Sequence, residues 1–115
     1  MKFICLVYAE PGAVSGLPVA EREALDRDSL AYDRELQAGG HFLAASALQS
    51  VKTARTVRVR KGKPLVLDGP FAETKEVLCG FVFIEAADAD EAMRIAERIP
   101  MARYGTIEVR PELEF

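Results

Sequence analysis

Two stretches of the chain are apolar at nearly every position: Phe3-Ile4-Cys5-Leu6-Val7-Tyr8 near the start and Phe81-Val82-Phe83-Ile84 further on. A strand with one face in water alternates apolar and polar residues, so a run that does not alternate predicts a strand covered on both faces. These runs are read as the centres of strands over Lys2 to Tyr8 and Val77 to Ala86. Further strands are expected over Phe42 to Ala47, Arg55 to Arg60, Pro64 to Leu67 and Gly105 to Arg110, with Lys61-Gly62-Lys63 as a tight hairpin turn.

Between the first two strands the apolar period lengthens. Leu25, Ser29, Tyr32 and Leu36 fall at steps of four, three and four, a narrow stripe on a helix that starts near Pro18 and stops at Gly39-Gly40. Leu30 lies off the stripe, free to meet a partner. A second helix is signed by Asp88 as cap, Glu91 three residues later and Pro100 beyond its end, with Ala92, Ile95, Ala96 and Ile99 as its core face. The resulting order predicts an α+β fold: a ferredoxin-like split βαβ with an extra β-hairpin before the third core strand. Two helices cover one face of such a sheet. A second copy is expected on the other, giving a homodimer.

Composition narrows the setting. With 115 residues and half of them apolar, residues 1–115 are read as a single domain. No stretch is long and apolar enough to span a membrane, and the opening segment runs into Glu10 as a strand would, not as a signal peptide. Cys5 and Cys79 sit in apolar runs, where thiols act as small hydrophobes, which points to a reducing cytoplasm. A net charge of −3 argues for no nucleic-acid partner.

Candidate chemistry is sparse. One histidine, His41, stands where the first helix meets the second strand, either as a general base or as an ordinary polar residue. No metal or cofactor is expected, because one histidine and two core-type cysteines make no ligand set and no glycine-rich loop opens a helix. The densest polar segment is Asp68-Gly69-Pro70-Phe71-Ala72-Glu73-Thr74-Lys75-Glu76. In a structural reading Asp68 accepts hydrogen bonds from the amides after it, Gly69 takes a positive φ and Phe71 plugs the loop onto the core. In a functional reading the turn aims Asp68, Glu73, Thr74 and Lys75 at a pocket. From Gln49 to Leu67 the chain holds six basic residues and no acid, with Arg58 and Arg60 on one strand face; this is an anion-binding wall or a solvated edge. Tyr8 ends a central strand where a pocket can open.

The Asp68 to Glu76 block, with Gly80-Phe81, Asp90-Glu91-Ala92, Ile99-Pro100 and Ile107-Glu108-Val109-Arg110-Pro111, resembles the DGPF branch of the YCII-related proteins, across essentially the whole chain. The resemblance implies a ferredoxin-like dimeric α/β barrel with a cleft between helices, sheet and partner. Some relatives in the wider superfamily pair a histidine in the first helix with an aspartate near its end for lyase or dehydrochlorinase-like chemistry. Here those positions fall near Ser29 and Ala38, so that pair is not carried over. DGPF-type proteins are also often encoded beside sigma factors. Two functions are therefore expected of the chain. One is a small-molecule lyase or isomerase-like enzyme, with Asp68 and His41 as catalytic groups and Arg58, Glu73, Thr74, Lys75 and Tyr8 around the ligand. The other is a non-catalytic ligand-binding or regulatory module acting through a partner protein in sigma-factor-dependent transcription.

Overall fold

The computed structural model describes residues 1–115. The elements run β1 (Lys2–Ala9), α1 (Val19–Ala38), β2 (Phe42–Ala47), β3 (Arg55–Arg60), β4 (Lys63–Asp68), β5 (Val77–Glu85), α2 (Ala89–Glu97) and β6 (Thr106–Pro111), with short 3-10 turns at Val51–Thr53 and Pro100–Arg103. The fold is ferredoxin-like α+β, as the element order predicts. Its sheet has the order β2-β5-β1-β6 with every pairing antiparallel, while β3 and β4 form a separate two-stranded ribbon.

Register explains why the central strands do not alternate in polarity. Phe3, Cys5 and Val7 pair with Ile84, Val82 and Gly80 on β5 and with Pro111, Val109 and Ile107 on β6, and this face turns inward. Leu25, Tyr32 and Leu36 of α1 and Ala92, Ile95 and Ala96 of α2 are buried with it. The Tyr32 hydroxyl donates to the Ile95 carbonyl at 2.7 Å, tying one helix to the other. The opposite face carries Ile4, Leu6, Tyr8, Phe81 and Phe83, all only half-buried. No helix covers it.

The ribbon is the most exposed part of the chain. All six residues of β4 and five of the six in β3 are exposed, among them Val57, Val59, Leu65, Val66 and Leu67. It stands off the body, and the radius of gyration of 16.0 Å exceeds the roughly 13 Å of a compact chain of this length.

Local chemistry ends the helices as expected. At the end of α1 the His41 amide donates to the Leu36 carbonyl at 2.8 Å and the Gly40 amide to the Gln37 carbonyl at 3.1 Å, a Schellman closure that needs Gly40 at φ 77°. For α2, Asp88 accepts from the Glu91 amide at 2.8 Å, and the Glu91 carboxylate accepts in return from the Ala87 amide at 2.9 Å, one residue before the usual partner. Pro18 stands one position before the first residue of α1, with no side-chain cap there.

Gly40→Ala is expected to destabilise the fold by about 1–2 kcal/mol in urea unfolding, because a side chain at that φ meets the carbonyl that follows it. An unchanged midpoint would mean that the Schellman closure does not hold the α1 to β2 connection.

Candidate ligand cleft

The inner face of the sheet is not evenly filled. Opposite the N-terminal half of α1 the sheet offers Ala45, Ala47 and Gly80, while the helix offers Ser29 where a bulkier residue would fill the stripe. The space left is a cleft of about 1440 Å³ between α1, the ends of β2 and β5, and the loop from Glu10 to Ser15. Gly80 is required at its floor, since a Cβ there would lie 2.6 Å from the Ser46 carbonyl oxygen. Beside it the register slips: Val7 faces Gly80 and Tyr8 faces Leu78, so Cys79 is the extra residue of a bulge at the cleft wall.

Val7, Leu25, Val82 and Met101 give the cleft apolar walls, and its polar groups come mainly from α1. Arg22, Ser29 and Asp33 are separated by seven and four residues and share one helix face. Asp33 is half-buried, and loss of hydration holds its carboxyl above the ordinary 3.8. Arg22 forms no ion pair or side-chain hydrogen bond, and its Nε is fully covered without an acceptor. Cys5 is sealed in the core, where burial pushes its thiol up to about 11, so it stays protonated at neutral pH.

The residues singled out from the sequence are scattered around this cleft instead of gathered in it. His41 lies at the other end of β2, half-buried, its Nδ1 bonded to the Glu85 carbonyl at 2.8 Å and 3.9 Å from the Glu91 carboxylate. Tyr8 points to the outer face of the sheet. Arg58 is exposed on the ribbon. Asp68 does not receive hydrogen bonds from the amides after it. Its side chain is 93% exposed and stands 3.4 Å from Arg55 Nε, while the Gly69 amide donates to the Ala54 carbonyl at 2.7 Å. Gly69 does take a positive φ, 94°. Phe71 does not plug the core: it is 73% exposed, on a loop that follows a ribbon standing off the body. Glu73 is exposed, and Thr74 donates to the Glu76 carbonyl at 2.6 Å. Lys75 alone of this group touches the rim, 3.4 Å from the cleft-lining Glu10.

Comparison with known proteins agrees with this fold. The YCII-related domain matches over residues 1–115. The chain belongs to the YCII-related family. An uncharacterised protein, R00369 of Rhizobium meliloti (strain 1021), is 36% identical over 113 residues, covering 96% of this chain and 91% of that protein. In structure the YCII-related domain is similar to 5-chloro-2-hydroxyhydroquinone dehydrochlorinase (TftG) from Burkholderia phenoliruptrix AC1100 in complex with 2,5-dihydroxybenzoquinone. The TM-score is 0.58 at 18% identity, over 100% of this chain and 96% of that one, a likeness of fold. Ser29 lines the cleft of this domain.

Arg22, Asp33 and the small-residue floor were missed from the sequence. Charged positions on an amphipathic helix read as solvent-facing, and the one available signal was Ser29 interrupting the apolar stripe. A second groove of about 540 Å³, between α1 and the Pro100–Arg103 turn, is a weaker candidate. Both of its arginines are already paired, Arg98 with Glu35 at 2.7 Å and Arg103 with Asp28 at 3.1 Å, and Arg98 also lies over the Tyr32 ring.

The Asp33 environment has a pH signature. Below pH 3.8 the carboxyl is protonated in folded and unfolded chains alike and costs the fold nothing. As pH rises through the raised value, the folded chain must charge a half-dry carboxylate and loses stability relative to the unfolded chain. Asp33→Asn should therefore melt above the wild type at neutral pH, with the gap closing as pH falls towards 3.8. A gap independent of pH would show that this face of α1 is not dry.

Proposed function

We propose that this YCII-related domain is a homodimer that takes a small organic molecule into the α1 cleft of each protomer and performs proton-transfer chemistry of the lyase or isomerase kind. The observation that carries this reading is the half-dry carboxyl of Asp33 in an apolar-walled cleft. A carboxyl whose charged form is disfavoured by lost hydration holds a proton more strongly than an ordinary aspartate, which suits a proton-transfer group. Ser29 supplies a hydroxyl on the same helix face, and Arg22 supplies a fixed positive charge. The structurally similar dehydrochlorinase, seen with a small quinone, supports a ligand-binding use of this fold.

The dimer reading rests on apolar surface. Ile4, Leu6, Phe81 and Phe83 form an unpartnered sheet face, and an isolated two-stranded ribbon is marginal in water, so both ask for a cover that a second copy can supply. In that arrangement Asp68, Arg58, Glu73 and Thr74, which lie outside the cleft of their own chain, belong to a surface that meets the partner. A cytoplasmic setting fits the two free cysteines. A non-catalytic binding module is the second reading, favoured by the position of the single histidine away from the cleft.

A thermal-shift screen of wild type and Asp33→Asn against a broad metabolite panel tests the function, since a ligand of the native state raises its apparent stability. An enzyme should show a hit bound by both proteins but converted only by the wild type. A hit converted by neither favours the binding module, and a panel that shifts nothing removes the cleft as a ligand site.

Sedimentation at micromolar concentration is expected to give twice the 12.6 kDa chain mass. Phe83→Asp should shift the distribution to monomer while leaving the inward-facing core intact. A wild-type protein that sediments as a monomer would overturn the dimer.

A further inference from the structure

Arg22 is the charged residue of the cleft with a covered nitrogen that has no hydrogen-bond partner. A guanidinium does not lose its proton, so partial removal from water has to be offset by a counter-charge or by acceptors. Arg22 has neither within the chain. Nε is sealed off without an acceptor, and no carboxylate lies within ion-pair distance, not even Asp26 one helical turn further on. Arg98 and Arg103, the arginines of the neighbouring groove, are paired with Glu35 and Asp28, and Arg22 alone has a covered side-chain nitrogen without a partner. With Nε covered, the two Nη groups are the edge left for a partner. The first amides of α1 add positive potential at the same end, because Pro18 brings no side-chain cap to them.

The rest of the lining limits which anion fits. Glu10, Glu23, Asp26 and Asp33 stand against Arg22 and Lys52, so the cleft as a whole repels a polyanion such as a phosphate ester. Glu10 is engaged by Lys75, and Glu23 and Asp26 are exposed to solvent that screens them. A single negative charge placed on Arg22 avoids the remaining repulsion. The same cleft is floored by Val7, Gly80 and Val82 on paired strands, an apolar stretch of sheet. Beyond it, Ser29 and then Asp33 follow along the helix, Asp33 about 16 Å of helix rise from Arg22. That far end offers hydrogen bonds to a neutral polar group.

We propose that the cleft takes a small planar monocarboxylate, its carboxylate on the open Nη edge of Arg22, its ring on the Val7, Gly80 and Val82 floor, and a hydroxyl end towards Ser29. Arginine presents two parallel N–H groups to a carboxylate, which supplies both energy and orientation. The inference rests on the cleft being a ligand site and adds the class of ligand.

The test is a titration of the isotope-labelled protein followed through the amide resonances of Ser29, Gly80 and Val82. The probes are 4-hydroxybenzoate, 4-hydroxybenzamide and inorganic phosphate, applied to wild type and Arg22→Gln. We expect 4-hydroxybenzoate to move these resonances in the wild type and to bind at least about tenfold more weakly to Arg22→Gln. The amide should bind both proteins alike, and phosphate should move none of the three resonances. Equal binding of acid and amide to the wild type would overturn the monocarboxylate while leaving the cleft as a ligand site. That comparison holds even if Arg22→Gln fails to fold. Phosphate moving the same resonances would overturn the preference for a single charge. If no probe moves them, the ligand class and the cleft reading fall together.

Discussion

Everything in this domain follows from two neighbouring strands, β1 and β5, that are apolar on both faces. One face is satisfied within the chain by α1 and α2, which bury Leu25, Tyr32, Leu36, Ala92, Ile95 and Ala96 against it. The other face, with Ile4, Leu6, Phe81 and Phe83, keeps its contact with water in a single chain. Apolar area of that kind is a standing free-energy cost of about 25 cal/mol per Å², which gives association a driving force before any specific contact is named.

The cleft has the same origin seen from the inner face. A helix lies close to a sheet only where side chains fill the gap between them. Ala45, Ala47 and Gly80 on the sheet and Ser29 on the helix leave part of the gap open, while Leu25, Tyr32 and Leu36 and the Tyr32 hydroxyl bonded to Ile95 hold α1 in place. The open space is bounded on one side by the Glu10 to Ser15 loop. Arg22 and Asp33 therefore stand in a region neither wholly wet nor wholly dry, where charge is unbalanced in one case and disfavoured in the other. A well-packed core tolerates neither condition, whereas a binding site uses both.

The polar block from Asp68 to Glu76 has a different logic. Thr56 donates to the Gly69 carbonyl at 2.8 Å and the Gly69 amide is bound by Ala54, so the backbone of the turn is fixed by β3, and its side chains are left outward. Asp68 and Phe71 are both exposed there, as are the apolar residues of the ribbon. The turn thus presents an acid and a phenyl ring to solvent in the single chain, away from the cleft.

What the sequence determined by itself was whatever depends on neighbours within about a dozen residues. The strands, both helices, the Gly40 stop, the Asp88 cap and the ferredoxin-like order were legible because burial period and capping act over one or two turns. The double-sided apolar strands were legible for the same reason. The tertiary structure alone decided which polar residues share a site. His41 stands at the far end of β2 from the cleft, its ring bonded to a carbonyl 44 residues away, and Phe71 looked like an anchor until the ribbon stood clear of the core. Arg22 and Asp33 read as the solvated side of a helix, and their partial burial at the cleft depends on elements distant in sequence. Desolvation is set by what surrounds a group in space, so no local pattern announces it.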